Sequence, residues 1–520
     1  MIPGVQVLEK SGMPGEGAYL NLRGIRSLAA NNAPLIVIDG LPLLPDMEES
    51  PVISGYSRNI LMPVSLKDIR SFTFVQGADA AIYGSMGSNG VILIETDKAS
   101  DMETKVEFQT INGLTWMNKR YPMLDADGFK SFLVDVGETK VANTNELVEL
   151  FPFLKDDYDY QHYYRHNYGN NTDWQDEIYN QCAFSTENIL KVKGGDEIAK
   201  YNLTAGYLRN NGVVKNTDLS KYYTRLNADL NVSAKVRMSA SFGFSYVQSH
   251  LHEQGMIPQT NPLLAALYKA PVLGVWEKDM YGNRVSRFDT VRQFGISNPR
   301  AVVEQVEATM KTYDILGNIA LNYQPNSKFN FDAMLGIYYN YNSENLFVPG
   351  KSQPSIAPLM EGYAHNTVRG GVGLGYNIYA KAQGSYKHAF NDKNRITASL
   401  GYQLITSRRE YDHAEVVNTT SDFYKTLDRS ESDYGKKIDG YEDIWNWTNA
   451  YARLYYDYNH QFQLSATLAA DAASSTGKNA VRLQWLPSVN VGINLKNMSF
   501  LQDVRGIDEF LVRGAWATLA

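Results

Sequence analysis

The stretch VRMSASFGFSY, residues 236–246, alternates apolar and polar side chains from end to end. Successive side chains of a strand point to opposite faces, so this segment is predicted to be a strand with one apolar and one polar face. The same period recurs at residues 226–231, 329–337 and 461–468. Several of these segments run past ten residues. Strands of soluble proteins are commonly about five to six residues long, whereas a strand that crosses a bilayer needs about nine to eleven.

The connections between these strands alternate in length. Tight turns are predicted at residues 194–196, 233–234, 325–327, 391–393 and 459–460, and longer loops at 210–212, 249–310, 342–367 and 407–444. A membrane barrel has this asymmetry because one rim carries short turns and the other carries long loops. A soluble sandwich or propeller is the alternative, but it does not require the alternation. Residues 101–520 are therefore predicted to form an antiparallel transmembrane β-barrel of about thirteen strands.

The composition agrees with a barrel and excludes other classes. The chain has 44% hydrophobic residues, a mean hydropathy of −0.34 and no apolar run long enough for a membrane helix. Its 35 tyrosines suit aromatic girdles at the headgroup boundary, although cross-strand packing would also use them. A net charge of −7 argues against a nucleic-acid partner, and the single cysteine, Cys182, excludes a disulfide framework.

The first hundred residues have a different pattern. Short buried strands are predicted at 5–8, 19–22, 35–38, 72–75 and 91–94, with frequent glycine and proline between them. Short helical turns are expected at residues 65–69 and 79–83, the second ended by Gly84. Residues 1–100 are thus predicted to be a small α/β domain with a core of its own.

Several segments resemble a known family. They are GVQVLEKSGMPGEGAYLNLRGIRS (4–27), APLIVIDGLPLL (33–44), IRSFTFVQGADAAIYGSMGSNGVILIET (69–96), TDWQDEIYNQ (172–181), YNLTAGYLRNNGVVKNTD (201–218), YTRLNADL (223–230), YDYNHQFQLSATLAADAASSTG (456–477) and LQWLPSVNVGINL (483–495). In order and spacing they resemble the plug and barrel signatures of TonB-dependent outer-membrane transporters, specifically the SusC/RagA branch of the Bacteroidota. The resemblance covers essentially the whole chain.

The resemblance implies a plug, residues 1–100, inside the lumen of a barrel of about twenty-two strands. We therefore expect parts of the protein both before Met1, including a signal peptide and the TonB-binding segment, and after Ala520. It also suggests that an arginine such as Arg23 pairs with barrel carboxylates and holds the plug in place. The remaining plug motif residues are interpreted as turn formers: Gly24, Asp39, Gly40, Tyr83, Gly84, Asn89 and Gly90.

Ligand contacts are expected on the plug apex and the long loops. The loop DDYDYQHYYRHNYGNNTDW, residues 156–174, combines aromatic faces with carboxylates, amides and imidazoles, a mixture that suits sugar rings or a peptide. Its candidate ligand-binding residues are Tyr158, Tyr160, Tyr163, Tyr164 and Trp174. The alternative is that these rings pack against one another or against a partner. A SusD-like surface lipoprotein, implied by the resemblance, is expected to dock within residues 249–310 and 407–444.

No catalytic motif is present in the sequence. It has no Gly-x-Ser-x-Gly elbow, no His-Glu-x-x-His helix and no phosphate-binding loop, so no enzymatic activity and no cofactor are expected. Gly371, Gly373 and Gly375 are spaced by two and are predicted to line one face of a strand. His250, His252 and Glu253 could ligate a metal but are more simply solvated, and Asp156, Asp157 and Asp159 lack the rest of a calcium loop.

Two functions remain open. The first is outer-membrane import of a bulky nutrient, an oligosaccharide or a peptide, with the lipoprotein as a lid and TonB as the source of force. The second is a non-importing barrel that serves as a receptor or as a structural partner in an envelope assembly. The second is kept because residues 74–84 read FVQGADAAIYG, where the family usually has a lysine-aspartate pair before the alanines.

Overall fold

The computed structural model describes residues 4–28, 31–44, 49–98, 103–140, 144–154, 166–292, 295–360, 362–430, 433–477, 481–501 and 504–518. Among these residues, no helix has both the length and the apolar character that a bilayer crossing needs.

The amino-terminal domain contains two small sheets. Strands β1 (Val5–Leu8) and β2 (Tyr19–Leu22) form an antiparallel pair. The second sheet has the order β4-β3-β6-β5 and consists of β3 (Leu35–Ile38), β4 (Leu41–Leu43), β5 (Ile69–Val75) and β6 (Val91–Thr96). The short 3-10 segment Leu66–Asp68 is capped by the Ser65 hydroxyl, and a longer one spans Gly77–Gly87. All five predicted strands and both helical turns are present, and β4 is an additional strand. The predicted burial holds for β3 and most of β6, whereas β1 and β5 are exposed or only partly buried.

A thirteen-stranded antiparallel sheet forms the barrel wall around this domain, which we call the plug. Its first strands are β7 (Lys105–Thr115), β8 (Ala183–Gly195), β9 (Ala199–Asn211), β10 (Asp218–Ser233) and β11 (Val236–Leu251). A separate loop hairpin, β12 (Trp276–Lys278) and β13 (Arg284–Phe288), follows. The wall continues with β14 (Glu307–Tyr323), β15 (Phe329–Val348), β16 (Thr367–Ala389), β17 (Asn394–Val417), β18 (Lys436–Tyr458), β19 (Phe462–Ala473), β20 (Leu483–Asn494) and β21 (Leu511–Ala517).

The wall strands pair in chain order, each with its sequence neighbours. The number of strands agrees with the prediction. Between the described parts of the end strands, β7 and β21, no pairing is present. Short and long connections alternate as predicted up to β19. Residues 495–510, which connect β20 and β21 at the short-turn rim, are the exception.

In the part of the chain that the structure describes, five α-helices lie in the long loops. They are α1 (Ala126–Glu138), α2 (Thr144–Leu150), α3 (Trp174–Ile178), α4 (Pro262–Tyr268) and α5 (Pro299–Gln305). Asn261 and Asn298 cap α4 and α5 with their side-chain oxygens, and each cap precedes a proline at the first helical position. Helices α3, α4 and α5 contribute to one buried apolar cluster, so the long loops are folded.

Aromatic side chains form two bands on the outer face of the wall. On the loop side, Tyr222, Tyr246 and Tyr313 are register partners on adjacent strands, with ring centroids 4.7 to 6.3 Å apart. On the turn side, Tyr323 and Phe331 are paired in the same way. Tyr313 and Tyr323 are about ten residues apart on β14, which corresponds to about 24 Å across a membrane for a strand tilted by about 45°. This spacing matches the apolar band of an outer-membrane barrel, as the predicted girdles require.

Candidate functional site: the plug against the barrel wall

A buried ion pair joins the plug to the wall. Arg58 directly follows residues 49–57, which we call the plug apex. Asp314 lies on the inner face of β14 with its side chain fully buried. Nη1 of Arg58 is 3.2 Å from both Asp314 carboxylate oxygens, and Nη2 is 3.1 Å from Oδ1. Burial alone would lower the pKa of Arg58, but the Asp314 carboxylate and the Tyr338 hydroxyl together outweigh burial and raise it. The guanidinium therefore stays charged, and the pair resembles the bidentate contacts that hold position as well as charge.

Neighbouring side chains complete the hydrogen bonding of Asp314. The Tyr338 hydroxyl donates to Oδ1 at 2.9 Å and the Asn340 amide donates to the same oxygen at 2.7 Å. Nη2 of Arg58 also donates to the Tyr338 oxygen at 3.0 Å. These donors satisfy the hydrogen-bonding capacity of the buried carboxylate.

The predicted role of Arg23 in holding the plug stays a prediction, because no carboxylate of the described wall strands pairs with it. Its side chain is exposed and forms no ion pair with any residue that the structure describes. Its backbone has a φ of 62°, in the left-handed region, and Gly24 follows with a φ of 85°. The Arg23 amide donates to the Gly4 carbonyl at 2.6 Å. Arg23 and Gly24 are thus turn residues at the end of β2, and Arg58 makes an arginine–carboxylate contact with the wall.

Asp39 and Gly40 form the two-residue turn between β3 and β4. Both have positive φ, 49° and 89°, which is the geometry of a type I′ hairpin turn. The Asp39 carboxylate accepts from the Thr96 amide at 2.9 Å and from the Thr96 hydroxyl at 2.7 Å. Its Oδ2 also lies 3.7 Å from Nη1 of Arg225 on β10. The predicted turn is therefore present, and its carboxylate also contacts the wall.

Gly84 allows the plug backbone to approach the wall closely. It has a φ of 57° and a ψ of −143°, and a Cβ there would lie 2.4 Å from a carboxylate oxygen of Asp471 on β19. The next amide, that of Ser85, donates to the same carboxylate. Any side chain at position 84 would separate this pair.

The other predicted turn residues lie within the plug. Tyr83 is half-buried, and burial raises its pKa to about 12. The Asn89 amide donates to the Asn31 carbonyl at 2.6 Å, and Gly90 has a φ of 90°. Tyr83, Asn89 and Gly90 therefore have structural roles within the plug.

Further polar contacts surround the plug. Asp79 accepts from Nη2 of Arg453 at 3.2 Å and from the Asn490 amide at 3.1 Å. On another part of the wall, Asp97 lies 2.8 Å from the Lys193 ammonium and 3.3 Å from that of Lys191. Burial opposes ionisation of Asp97, but the two lysines together lower its pKa. The plug is therefore held by charged contacts distributed along the wall from β8 to β20.

A cavity of about 370 Å³ lies between the plug apex and the inner face of β15 to β18. Three glycines of β16, Gly371, Gly373 and Gly375, occupy successive inward positions at this level. Their register partners are Glu344, Asn342 and Asn340 on β15 and His413, Tyr411 and Arg409 on β17. Because the middle strand has no inward side chains here, the wall is concave between two polar rows.

Polar atoms without partners belong to residues that line this cavity. Asn377 lines it and is 5% exposed, and neither its Oδ1 nor Nδ1 of the cavity-lining His413 has a partner among the described residues. Buried polar atoms normally have partners, so these two are unsatisfied, although neither atom is itself open to the cavity. The sequence showed the spacing of the three glycines but not that Gly373 and Gly375 line a cavity.

Glu344 connects the cavity to the plug apex. Its carboxylate accepts from the Ser50 hydroxyl of the plug, from the Tyr411 hydroxyl at 3.2 Å and from the Asn342 amide at 3.1 Å. The Ser50 oxygen in turn accepts from the Ile53 amide at 2.8 Å. A ligand that competes for Glu344 or Tyr411 would therefore disturb a contact that also organises the plug apex.

The sequence-predicted ligand residues lie elsewhere. Tyr158, Tyr160, Tyr163 and Tyr164 fall outside the described residues, and their role stays a prediction. Trp174 is described and is 3% exposed, and its indole N–H donates to the Ala270 carbonyl at 3.0 Å. In this conformation Trp174 is a packing residue of the folded loops rather than an open platform for a ligand. Trp174 is buried in the cluster to which α4 contributes. Because α4 is distant in the sequence, the residues near Trp174 did not reveal this burial.

The considered metal ligands are engaged in other contacts. Within the described ranges, no group of three or more histidine, cysteine or acidic side chains has the arrangement of a metal site. Nδ1 of His250 lies 2.9 Å from Asp218, Nε2 of His252 lies 3.0 Å from the Lys215 carbonyl, and Glu253 pairs with Arg369 at 2.9 Å. Asp156, Asp157 and Asp159 lie outside the described part of the chain.

Comparison with known proteins agrees with this architecture. Residues 1–91 match the TonB-dependent receptor plug domain family. The chain is 25% identical to the TonB-dependent receptor SusC of Bacteroides thetaiotaomicron, over 99% of this chain and 49% of that protein. It is also 25% identical to the TonB-dependent receptor P26 of Formosa agariphila, over 99% of this chain and 48% of that protein. The chain thus spans about half the length of the curated relatives that it matches.

Solved structures give the same fold. A structure of the RagAB peptide transporter superposes with a TM-score of 0.79 at 16% identity, covering 99% of this chain and 57% of that one. The siderophore receptor PirA of Acinetobacter baumannii gives a TM-score of 0.54 at 13% identity, with the same coverage. At these identities the likeness concerns the fold alone.

The plug enclosed by an antiparallel wall defines a class, the TonB-dependent β-barrel receptors. Within this class, the similarity to the SusC/RagA type that the sequence predicted is confirmed. The relatives named above are receptors and transporters rather than enzymes.

Proposed function

We propose that the protein containing this chain imports a bulky nutrient across the bacterial outer membrane. The cavity beside the plug apex carries the proposal, because it combines concave shape with aromatic and amide side chains at the loop side of the plug. A ligand held there touches both the wall and the plug. Outer-membrane lipid surrounds the wall at the level of the aromatic bands.

The proposed mechanism uses force rather than chemistry. TonB would pull on a segment that precedes the plug, and the plug–wall contacts would break to open a path. A SusD-like lipoprotein would cover the long-loop rim and trap the ligand. The cargo is an oligosaccharide or a peptide, in keeping with tyrosines and amides that can stack on rings and bond to hydroxyl or peptide groups. The name of the RagAB peptide transporter supports the peptide alternative, whereas the resemblance to SusC is compatible with a glycan.

The second candidate is a barrel that binds a partner without importing it. Residues 74–84, FVQGADAAIYG, favour this candidate because they depart from the family pattern. In that case the cavity would serve recognition only, and the plug would remain in place.

One experiment separates the two candidates. The full-length protein is purified from membranes together with any neighbouring lipoprotein, and small molecules that copurify are identified by mass spectrometry. Import predicts a bound glycan or peptide and a growth defect of the deletion strain on that compound, restored by the wild-type gene but not by a gene lacking the TonB-binding segment. Normal growth of the deletion strain on the copurified compound would refute import.

A further inference from the structure

An apolar belt crosses the inner wall, which is polar elsewhere. The belt consists of Leu316 on β14, Tyr338 on β15, Tyr379 on β16, Ile405 on β17 and Trp447 on β18, each 7% exposed or less. Tyr379, Ile405 and Trp447 are consecutive register partners, and Leu316 pairs with Tyr338 one row above. Barrel interiors of this class are normally polar, so an apolar patch that steps by one row across five adjacent strands requires an explanation.

The plug covers the belt with the β3–β4 hairpin. Leu41 and Leu43 of β4 are fully buried and belong to the same apolar cluster as the belt. Opposite Leu41, the wall has Gly336, where a Cβ would lie 2.7 Å from Cδ1 of Leu41. Gly336 is the register partner of Tyr379, so it provides a socket in the wall next to the belt.

Polar space lies on both sides of the belt. Along β14, the successive inward residues are Asp314 beside the cavity, Leu316 in the belt and Asn318 below it. On the turn side, a gap of about 430 Å³ is lined by polar plug residues, among them Arg70, Glu95 and Lys98, and by apolar ones, among them Val37 and Leu93. It adjoins a narrower space that Asn227, Ser239 and Asn318 of the wall line, since Asp39 and Lys98 line both. On β14 the belt is a single inward residue, so the polar positions Asp314 and Asn318 on either side of it are about 14 Å apart along the strand.

Strand β4 is the shortest strand of the plug sheet and lies at its edge. It is an outer strand of three residues, paired only with β3, whereas β3 also pairs with β6. Displacement of β4 would break few backbone hydrogen bonds and leave the remaining three strands intact. The ion pairs of the plug, by contrast, lie outside this strand.

We propose that β4 is the gate of the barrel: its displacement from the belt, with the rest of the plug in place, joins the loop-side cavity to the turn-side gap. The inference rests on the proposed function, since it names how the route past that cavity opens. The apolar belt closes the route because it excludes water and polar cargo when Leu41 and Leu43 cover it.

Ion conductance tests the gate without knowledge of the cargo. The full-length protein is reconstituted in planar lipid bilayers with potassium chloride as the probe, and Leu41→Asn is compared with Leu35→Asn. Leu35 is as well buried but belongs to the separate core of the plug, with Val37, Ala80 and Val91. We expect current through L41N and none through L35N. Equal behaviour of the two variants would overturn the gate, because plug stability in general, or another route, would then decide conductance.

A redox tether provides the second measurement. In a Cys182→Ser background, the double variant L41C/G336C should conduct when reduced and close when oxidised, because the disulfide fastens β4 to its socket. The control pair A78C/S488C tethers the plug at Ala78, whose carbonyl accepts from Ser488 at 3.3 Å, and should not conduct in either state. With the disulfide verified by mass, current through L41C/G336C that does not change with redox state would refute the gate. Such a result leaves the copurification and growth experiment unaffected, so failure of the gate and failure of import are distinguishable.

Discussion

Nη1 of Arg58 lies 3.2 Å from both carboxylate oxygens of Asp314, although the two residues are 256 positions apart in the chain. Arg58 belongs to the plug and Asp314 to the barrel wall, so this contact links the two parts directly. It lies next to the cavity, since Arg58 also lines it. The geometry places the strongest plug contact beside the site where a ligand would arrive.

Asp314→Asn should loosen the plug strongly. Removing one partner of a buried pair leaves the other charge uncompensated, at a cost of about 3 to 5 kcal/mol. We expect a corresponding loss in the free energy of plug unfolding, measured by urea titration of the full-length protein with hydrogen exchange at residues 50–58. Glu307→Gln is the control, because its pair with Lys425 is about half exposed and should contribute less than about 1 kcal/mol. Equal losses in the two variants would contradict the assignment.

Gly375→Leu should fill the cavity without disturbing the wall. A Cβ at this position meets nothing closer than 3.7 Å, whereas at Gly373 it would lie 2.1 Å from Oδ1 of Asn342. We expect the copurifying ligand to be lost while thermal stability stays near that of the wild type. Val372→Leu, on the exposed outer face of the same strand, is the matched control and should retain the ligand. Retention of ligand by G375L would exclude this cavity as the binding site.

Trp174→Ala should unfold the loop cluster around α3, α4 and α5. Truncation of a buried tryptophan costs about 3 to 5 kcal/mol, and here it also leaves the Ala270 carbonyl without its donor. We expect faster proteolytic cleavage within residues 262–305 than in the wild type. Trp174→Phe retains most of the apolar volume and should protect the loops better. If W174A loses ligand while its loops stay resistant to protease, the ligand-binding role predicted from the sequence is favoured instead.

His252 should make the long loop sensitive to acid. It is 1% exposed, and burial lowers its pKa from an ordinary 6.5 to about 4. Between pH 6.5 and pH 4 the unfolded loop binds a proton at His252 that the folded loop does not. The contribution of His252 to the stability of the folded loop is therefore complete above pH 6.5 and falls as the pH drops toward 4. The largest loss of loop stability that protonation of His252 can cause is about 3 kcal/mol, at about 1.4 kcal/mol per pKa unit. Limited proteolysis of residues 252–306 at falling pH measures the effect.

The matched variants for the acid effect are His252→Gln and His460→Gln. H252Q removes the titrating group, so its loop should lose less protection between neutral pH and pH 5 than the wild-type loop does. His460 lies in a short turn and is largely exposed, so H460Q should behave as the wild type does. An unchanged acid response in H252Q would show that other groups control the loop.

The sequence was sufficient for features that depend on near neighbours. Alternation along VRMSASFGFSY predicted β11, and Asp39-Gly40 predicted the hairpin turn whose two residues have positive φ. In both cases the information lies within a few residues, because side-chain period and turn geometry are local properties. The thirteen strands followed from the same local signals.

The tertiary structure alone decided which residues meet. Arg23 and Arg58 are both arginines after short plug segments, and nothing local distinguishes them, yet only Arg58 reaches Asp314. In the same way, the spacing of Gly371, Gly373 and Gly375 was visible, but their place opposite the plug apex depended on the register of β15, β16 and β17. The physical reason is that a strand fixes the direction of its side chains by itself, whereas the partner that a side chain meets across the lumen is fixed by the register and curvature of many wall strands around the plug.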